Sequence, residues 1–121
     1  MTPVIFISGP MTGLPEFNRP AFNEAATTLR NRSFIVLNPA IFPDGLTHDQ
    51  YLAMSLSMLD QADAIYLLKG WEKSKGAVME FDRAKQRDLL FMYEDMNVFR
   101  MAAARSRRQH GKEYEENSSC Y

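Results

Sequence analysis

The sequence predicts an α/β protein built on a doubly wound parallel sheet of four to five strands, with helices on both faces. Four short apolar runs recur along the chain, and a helical segment separates each from the next. The runs are apolar at every position instead of alternating with polar residues, which is typical of strands buried on both faces. Strands that alternate with helices of about ten residues form βαβ units, and such units build parallel sheets.

The predicted strands are rich in β-branched and aromatic residues, and turn-forming residues bound them. The first strand stops at Ser8-Gly9-Pro10 and the second at Asn38-Pro39. Glycine and proline interrupt regular structure, so both strand ends are marked in the sequence. The four predicted strands are Val4–Ile7, Phe34–Leu37, Ala64–Leu68 and Leu89–Tyr93.

Start signals and apolar stripes predict the helices. The first helix opens at Asn18-Arg19-Pro20, where a capping residue precedes a proline in the first turn. The second follows Thr47 and Gln50, which have the spacing of a capping box. The third runs from about Ala77 to Arg87. Helical spacing assigns these residues to the core: Phe22, Ala25, Ala26 and Leu29 in the first helix, and Leu52, Leu56 and Leu59 in the second.

Length and composition predict a single domain followed by a polar end. The chain has 121 residues, of which 45% are hydrophobic, enough for one packed core. The expected division is a domain at residues 1–93, a helix at 94–108 that packs on the domain or on a partner subunit, and a tail at 109–121. The tail is low in large apolar residues, so we expect it to be mobile.

Charge and cysteine content argue against several classes of protein. The net charge of −1 provides no basic field for a nucleic-acid backbone, so we expect no nucleic-acid polymer as partner. The single Cys120 excludes an intrachain disulfide and argues against a cysteine-based metal site. The sequence has neither a basic leader nor an apolar segment of about 20 residues that could span a bilayer. We therefore expect a cytoplasmic protein without a membrane partner.

Candidate binding residues lie in the loops that follow the predicted strands, because ligands bind at the carboxyl ends of strands in open parallel sheets. The first loop places Gly9 and Gly13 around Pro10-Met11-Thr12, and glycine lets backbone N–H groups approach a phosphate or ribose oxygen. A plain turn explains this loop equally well, since it carries neither a Rossmann fingerprint nor a P-loop. The candidate binding residues in the first two loops are Ser8, Gly9, Pro10, Met11, Thr12, Gly13 and Asn38.

The loop before the third helix leads to the candidate catalytic residue, Glu80. Ser74 and Gly76 stand ahead of the predicted helix, and a helix N-terminus attracts anions. Glu80 follows about one turn later, where the helix dipole favours the ionised carboxylate that a nucleophile requires. Trp71 offers a flat wall on which a base can stack. The alternatives are an exposed helix carboxylate for Glu80 and a half-buried packing residue for Trp71.

Taken together, these segments resemble the nucleoside 2-deoxyribosyltransferase-like superfamily, in particular a branch of small, mostly phage and prophage proteins. The resemblance runs from about residue 4 to residue 93, with the motifs in order and at compatible spacing. The resembling segments are Ile7-Ser8-Gly9-Pro10-Met11-Thr12-Gly13, Leu37-Asn38-Pro39, the run from Asp63 to Trp71, and Ser74-Lys75-Gly76-Ala77-Val78-Met79-Glu80.

The resemblance implies a flavodoxin-like, or Rossmann-like, fold, a homodimer or higher homo-oligomer, and no metal or cofactor. It also implies cleavage or exchange of the N-glycosidic bond of 2-deoxynucleosides or their 5′-monophosphates. In such enzymes a glutamate attacks C1′, the base leaves, and water or a second base resolves the deoxyribosyl-enzyme. Glu80 matches that glutamate, and Ser74 and Gly76 match the loop that contacts the 5′ end of the sugar. Residues 9–12 match the loop that lines the sugar and base pocket.

Ser55 is the one departure from the pattern. The related enzymes carry an aspartate eight residues before the aspartate that opens the third strand, which is Asp63 here, and Ser55 occupies that position. The resemblance implies that the missing carboxyl group acts as general acid or holds the leaving base. Asp60 lies on another side of the helix and is a poor substitute. The open interpretations of Ser55 are a natural change, an engineered inactive variant, and an alternative acid such as Glu72.

Three hypotheses follow from these patterns. The first is an enzyme that uses Glu80 as nucleophile on a nucleoside or nucleotide. The second is a module that captures a nucleotide or an ADP-ribose-like ligand without turning it over, as Ser55 at the acid position would suit. The third is a protein-interaction domain that uses the helix at 95–107. Arg19 is a candidate phosphate partner, with a surface salt bridge as the alternative.

Overall fold

The computed structural model describes residues 2–95, and these form one parallel sheet with helices packed around it. The strands are β1 (Val4–Ser8), β2 (Ile35–Leu37), β3 (Ala64–Leu67) and β4 (Leu90–Tyr93). They lie in the order β2-β1-β3-β4, and every neighbouring pair is parallel. This is the strand order of the flavodoxin-like class, so the predicted fold is confirmed with four strands in the described residues.

Three helices cover the two faces of the sheet. They are α1 (Arg19–Asn31), α2 (His48–Asp60) and α3 (Lys75–Gln86). On one face, Phe22 and Leu29 of α1 pack with Ile5 and Ile7 of β1. The other face is covered by α2 and α3, and its buried residues are Phe6, Leu59, Ala62, Ile65, Leu67, Ala84 and Leu89. Because β1 and β3 are covered on both faces, their sequences are apolar at successive positions.

The second strand differs from its prediction as a buried strand. β2 lies at the edge of the sheet and pairs with β1 alone, and it begins at Ile35 instead of Phe34. Ile35 is 50% exposed as a result. An apolar run predicts that a segment forms a strand, but the position of the strand in the sheet depends on the other strands.

The helix termini confirm one predicted cap and correct another. Thr47 and Gln50 form the predicted capping box at the start of α2. Asn18 precedes α1 as predicted but does not cap it, because its side-chain amide donates to the Pro10 carbonyl at 2.9 Å. α3 begins at Lys75, two residues before the predicted start, because the Ser74 hydroxyl accepts a hydrogen bond from the Ala77 N–H at 3.2 Å.

Before α1, the chain takes an uncommon backbone conformation at Glu16, Phe17 and Asn18. All three residues are left-handed, with φ angles of 54°, 54° and 60°. A left-handed residue with a side chain costs roughly 1–2 kcal/mol, and such residues normally occur singly. Ser33 is also left-handed, but it follows the C-terminus of α1, where this conformation commonly ends a helix. No such helix end accounts for the segment at 16–18.

Two predictions concern regions outside this description. The helix expected at 94–108 lies almost wholly beyond the described residues, and the tail at 109–121 lies entirely beyond them. Among residues 2–95, no helix is long and apolar enough to cross a membrane.

Candidate functional site

A cavity of about 300 Å³ opens at the carboxyl ends of the strands. The connections after β1, β2 and β3 all contribute to its wall, as expected for a doubly wound sheet. Its volume is within the range of small-molecule sites. The residues that line it are Gly9, Met11, Thr12, Phe17, Arg19, Pro39, Phe42, Gly45, Leu46, His48, Tyr51, Leu52, Ser55, Ser74, Gly76, Ala77 and Glu80.

The candidate residues from the sequence divide between the wall of this cavity and its surroundings. Those that line it are Gly9, Met11, Thr12, Ser74, Gly76 and Glu80. Those outside the lining are Ser8, Pro10, Gly13, Asn38 and Trp71. Ser8 lies directly behind the wall and contacts Glu80, whereas Asn38 is buried and organises the turn after β2, where its side chain accepts from the Ala40 N–H at 3.0 Å.

Trp71, predicted as a binding residue, packs against neighbouring side chains and is not among the residues that line the cavity. Its ring stacks on Phe81 with centroids 4.6 Å apart, and it packs against the core between the sheet and α2–α3. Trp71 begins the short turn before α3 and packs against the same core as Phe81, so its side chain is partly buried. The half-buried packing residue, which was the alternative, describes this position.

Gly9 is required by protein packing. A Cβ atom placed on Gly9 would lie 2.8 Å from the Cβ of Leu68, closer than real Cβ contacts come. The end of β1 and the residue after β3 therefore approach closely, and a side chain at Gly9 would push them apart. This approach forms part of the cavity floor, because Gly9 also lines the cavity.

Glu80 lies in the cavity wall and is 7% exposed, so it is not the exposed helix carboxylate that was its alternative. The Ser8 hydroxyl at the end of β1 donates to Oε1 of Glu80 at 2.5 Å. Ser55 of α2, itself 7% exposed, is a second hydrogen-bond partner of the carboxyl group. Ser55 occupies the position where the related enzymes carry an aspartate, and this position is directly beside Glu80.

Burial dominates the electrostatics of Glu80. Removal from water raises the pKa of Glu80 to about 7, while the hydrogen bonds from Ser8 and Ser55 oppose that rise. This corrects the expectation that the helix dipole holds the group ionised. Glu80 is the sixth residue of α3, and the dipole effect falls off within the first turn. Burial therefore disfavours the ionised form of Glu80.

The end of the cavity between α2 and α3 is polar. His48 is the first residue of α2, and Gly76 lies in the first turn of α3. A Cβ atom on Gly76 would lie 3.8 Å from Cε1 of His48, so the two helix starts face each other across this end. Ser74 lines the same end and caps α3. The exposed backbone N–H groups of helix starts suit an anionic or strongly polar part of a ligand.

A second end of the cavity, formed by the connections after β1 and β2, is aromatic. Phe17 and Phe42 line it, and the Phe42 ring stacks on Tyr51 at a centroid distance of 6.5 Å. Arg19 connects the start of α1 to the turn after β2. Its guanidinium donates to the Phe42 carbonyl at 3.1 Å and forms a salt bridge with Asp44 at 2.8 Å. The predicted surface salt bridge is therefore present, on a side chain that also lines the cavity.

Several lining residues were not predicted as site residues, although the sequence carries a signal for some of them. His48, Tyr51, Leu52 and Ser55 follow the spacing i, i+3, i+4 and i+7, which is one stripe of a helix. The stripe is mixed in polarity, so it does not match an ordinary core face. Phe42 and Leu46 carry no comparable signal, because the turn between them resembles any surface turn.

No group of three or more potential metal ligands of the His, Cys, Asp and Glu types occurs among the described residues. Asp60 and Glu72, the other carboxylates considered for the site, are both outside the cavity lining. Asp60 is bound by Arg83 at 2.8 Å, and Glu72 is exposed on the turn before α3. Glu80 is therefore the one carboxyl group among the described residues that line the cavity.

Fold and site together define an α/β protein with a cavity at the carboxyl edge of a parallel sheet and a buried carboxyl group in the cavity wall. The chain belongs to the DUF4406 family, described as a domain of unknown function, which matches residues 3–93. The match ends with β4 and so covers all of the sheet and the cavity. A comparison with curated proteins found no match.

Proposed function

We propose that this protein cleaves or exchanges the N-glycosidic bond of a 2-deoxynucleoside or its 5′-monophosphate, with Glu80 as the nucleophile. The observation that carries the proposal is the environment of Glu80, which is buried in the wall of a ligand-sized cavity and, among residues 2–95, has hydroxyl groups and no cation as its side-chain partners. A carboxyl group buried in this way destabilises a fold, and strongly shifted carboxyl groups in clefts are typical of catalytic sites.

The proposed reaction has two steps. The carboxylate of Glu80 attacks C1′, the bond between C1′ and the base nitrogen breaks, and the electron pair leaves with the base, which takes up a proton. Water or a second base then attacks C1′ of the glutamyl ester, which releases the Glu80 carboxylate, and the attacking water or base N–H loses the proton that balances the one taken up in the first step. Ser8 and Ser55 donate to the carboxylate and so stabilise it as the leaving group of the second step.

Protonation of the leaving base requires an acidic group, and Glu80, the proposed nucleophile, is the one carboxyl group among the described residues that line the cavity. Ser55 stands where a general acid is expected, and its hydroxyl is engaged with Glu80. The absence of a positioned acid typically slows such a step about 10²–10⁴-fold. This observation favours a second candidate function, in which the same cavity holds a nucleotide or an ADP-ribose-like ligand without turnover.

Intact-protein mass spectrometry with 2-deoxynucleoside 5′-monophosphates tests the first function, together with chromatography for free base. We expect base release and a deoxyribosyl adduct in the wild type. Glu80→Gln should lower the rate at least about a thousandfold and abolish the adduct. Asp82→Asn is the matched control, because it neutralises an exposed carboxylate of the same helix and should leave the rate unchanged.

The outcomes separate the two functions. Base release that is equal in the wild type and Glu80→Gln would show that Glu80 is not the nucleophile. Binding of a nucleotide without base release, across all bases, would favour the binding module. A thermal-shift screen supplies the binding measurement, since a ligand at 100 times its Kd stabilises a protein by about 2.7 kcal/mol.

We further propose that the protein acts in the cytoplasm as a homodimer or a higher homo-oligomer, as the superfamily resemblance implies. Light scattering coupled to size-exclusion chromatography of the full chain measures the oligomer directly. A monomer at all concentrations would contradict this part of the proposal.

A further inference from the structure

Phe17 is a large apolar side chain that the fold leaves at the edge of the cavity. It is 41% exposed, lines the cavity and belongs to neither hydrophobic core. A phenylalanine in a core stabilises the fold through burial, and one at a rim contributes much less. Within residues 2–95, no aromatic ring stacks on Phe17. Protein packing alone therefore does not account for its position.

The backbone holds Phe17 at this place in spite of its conformational cost. Phe17 is the middle one of three consecutive left-handed residues. The Phe17 N–H donates to the Leu14 carbonyl at 3.0 Å, and the Asn18 side chain donates to the Pro10 carbonyl at 2.9 Å. Unfavourable backbone conformations that the surrounding contacts impose are concentrated at ligand sites. Here the left-handed backbone at residues 16–18 places the Phe17 ring at the cavity.

The ring is also braced from one side. The guanidinium carbon of Arg19 lies 5.2 Å from the Phe17 centroid, over the ring, and Arg19 is itself held by Asp44. Because the Arg19 guanidinium covers one face of the Phe17 ring, the other face and the edge are free to contact a ligand. The same contact restrains the ring in the cavity wall. Flat rings are the partners that such a wall binds best.

The two ends of the cavity suit the two ends of a nucleotide. Phe17 lies with Phe42 at the β2 side, whereas Gly76 and His48 form the polar end between α2 and α3. The base and the 5′ carbon project from different atoms of the sugar, so these two groups of one nucleotide can contact different parts of the cavity wall. The aromatic end accepts the base, and the polar end accepts the 5′ group.

We propose that Phe17 determines specificity by stacking on the nucleobase of the ligand, which rests on the proposed function because it places C1′ at Glu80. The expected binding mode is a base against the Phe17 ring, with the 5′-phosphate at Gly76. A purine offers a larger stacking surface than a pyrimidine, so Phe17 contributes more to the affinity for purine nucleotides.

Isothermal titration calorimetry tests this in protein that carries Glu80→Gln, so that the nucleotide is not consumed. The probes are a purine and a pyrimidine 2′-deoxynucleoside 5′-monophosphate. Phe17→Ala should weaken purine binding about 10–100-fold and pyrimidine binding less. Phe17→Tyr should restore both affinities. Leu14→Ala is the matched control, because Leu14 is in the same loop, is also 41% exposed and does not line the cavity.

Each outcome decides between the two proposals. Unchanged affinity in Phe17→Ala, or equal losses for both nucleotides without rescue by Phe17→Tyr, would overturn the stacking role and leave the proposed function intact. The expected pattern without base release by the wild type would support the stacking role and contradict catalysis. No binding of either nucleotide, with Glu80 intact or replaced, would refute the proposed function and the stacking role together.

Discussion

Asp60 and Glu80 are two carboxyl groups on the same pair of packed helices, and the fold treats them in opposite ways. Asp60 ends α2 and accepts two hydrogen bonds from Arg83 of α3, at 3.0 and 2.8 Å. Arg83 holds the pKa of Asp60 below its usual value. Glu80 lies one turn before Arg83 on α3, has hydroxyl groups as partners, and burial raises its pKa to about 7.

The comparison shows that a cation was available on α3 and serves the other carboxylate. Arg83 is three residues from Glu80, yet it points to the half-buried Asp60 at the far end of the interface. A fold selected only for stability would pair the buried group or replace it by an apolar residue. The buried position of Glu80 therefore lowers the stability of its ionised form, and the cation on the same helix does not offset this cost.

The largest expected effect is on the pH dependence of stability through Glu80. The ordinary pKa of 4.5 describes the unfolded chain, and the folded value is about 7. Between these values the folded state binds the proton more tightly, so the free energy of unfolding falls as pH rises from 4.5 toward 7. The total change is on the order of 3 kcal/mol.

Glu80→Gln should remove this dependence, because glutamine keeps the size and does not titrate. Chemical denaturation from pH 4 to pH 9 should show the variant more stable than the wild type above about pH 7, by on the order of 3 kcal/mol. The two proteins should converge below about pH 4.5. A variant that is less stable than the wild type at alkaline pH would contradict the buried, unpaired state of this carboxyl group.

A smaller effect is expected from the hydroxyl group of Ser55. Its hydrogen bond lowers the pKa of Glu80, so Ser55→Ala should raise that pKa above about 7. A hydrogen bond to a charged group is worth about 1.5–3 kcal/mol, which corresponds to about one to two pKa units. A ¹³C NMR titration of the Glu80 carboxyl carbon measures the shift directly.

Ser57→Ala is the control for Ser55→Ala, since Ser57 is an exposed serine of the same helix. It should leave the Glu80 titration where the wild type has it. A pKa that falls in Ser55→Ala would mean that water enters the space of the hydroxyl and solvates the carboxylate. That result would refute the direct role of Ser55.

The fold was predictable because its signals are local. The apolar runs around Ile7 and Ile65, the stripe at Phe22 and the capping box at Thr47 each lie within a few consecutive residues. The edge position of β2 was not predictable in this way. Nothing in the run from Ile35 to Leu37 states which strands will pair beside it.

The candidate site was predictable in position but not in its electrostatics. Glu80, Ser74 and Gly76 come from one loop and helix, and the structure brings them to the same cavity. The burial of Glu80 depends on how α2 packs on α3, which no local pattern specifies. The same holds for Trp71, whose contact with Phe81 joins the turn before α3 to the helix face.

The smallest expected effect comes from Asp60 and has the opposite pH dependence. Because the folded pKa of Asp60 is lowered, its contribution is present at neutral pH and is lost as pH falls through that folded value. Asp60→Asn should therefore be slightly less stable than the wild type at pH 7 and equal to it in strong acid. The partners are partly exposed, so the loss should shrink further at about 1 M salt. Chemical denaturation at low salt and at about 1 M salt measures the loss of stability. If Asp60→Asn were more stable than the wild type at neutral pH, the contrast with Glu80 would disappear, because both carboxylates would then oppose folding when ionised.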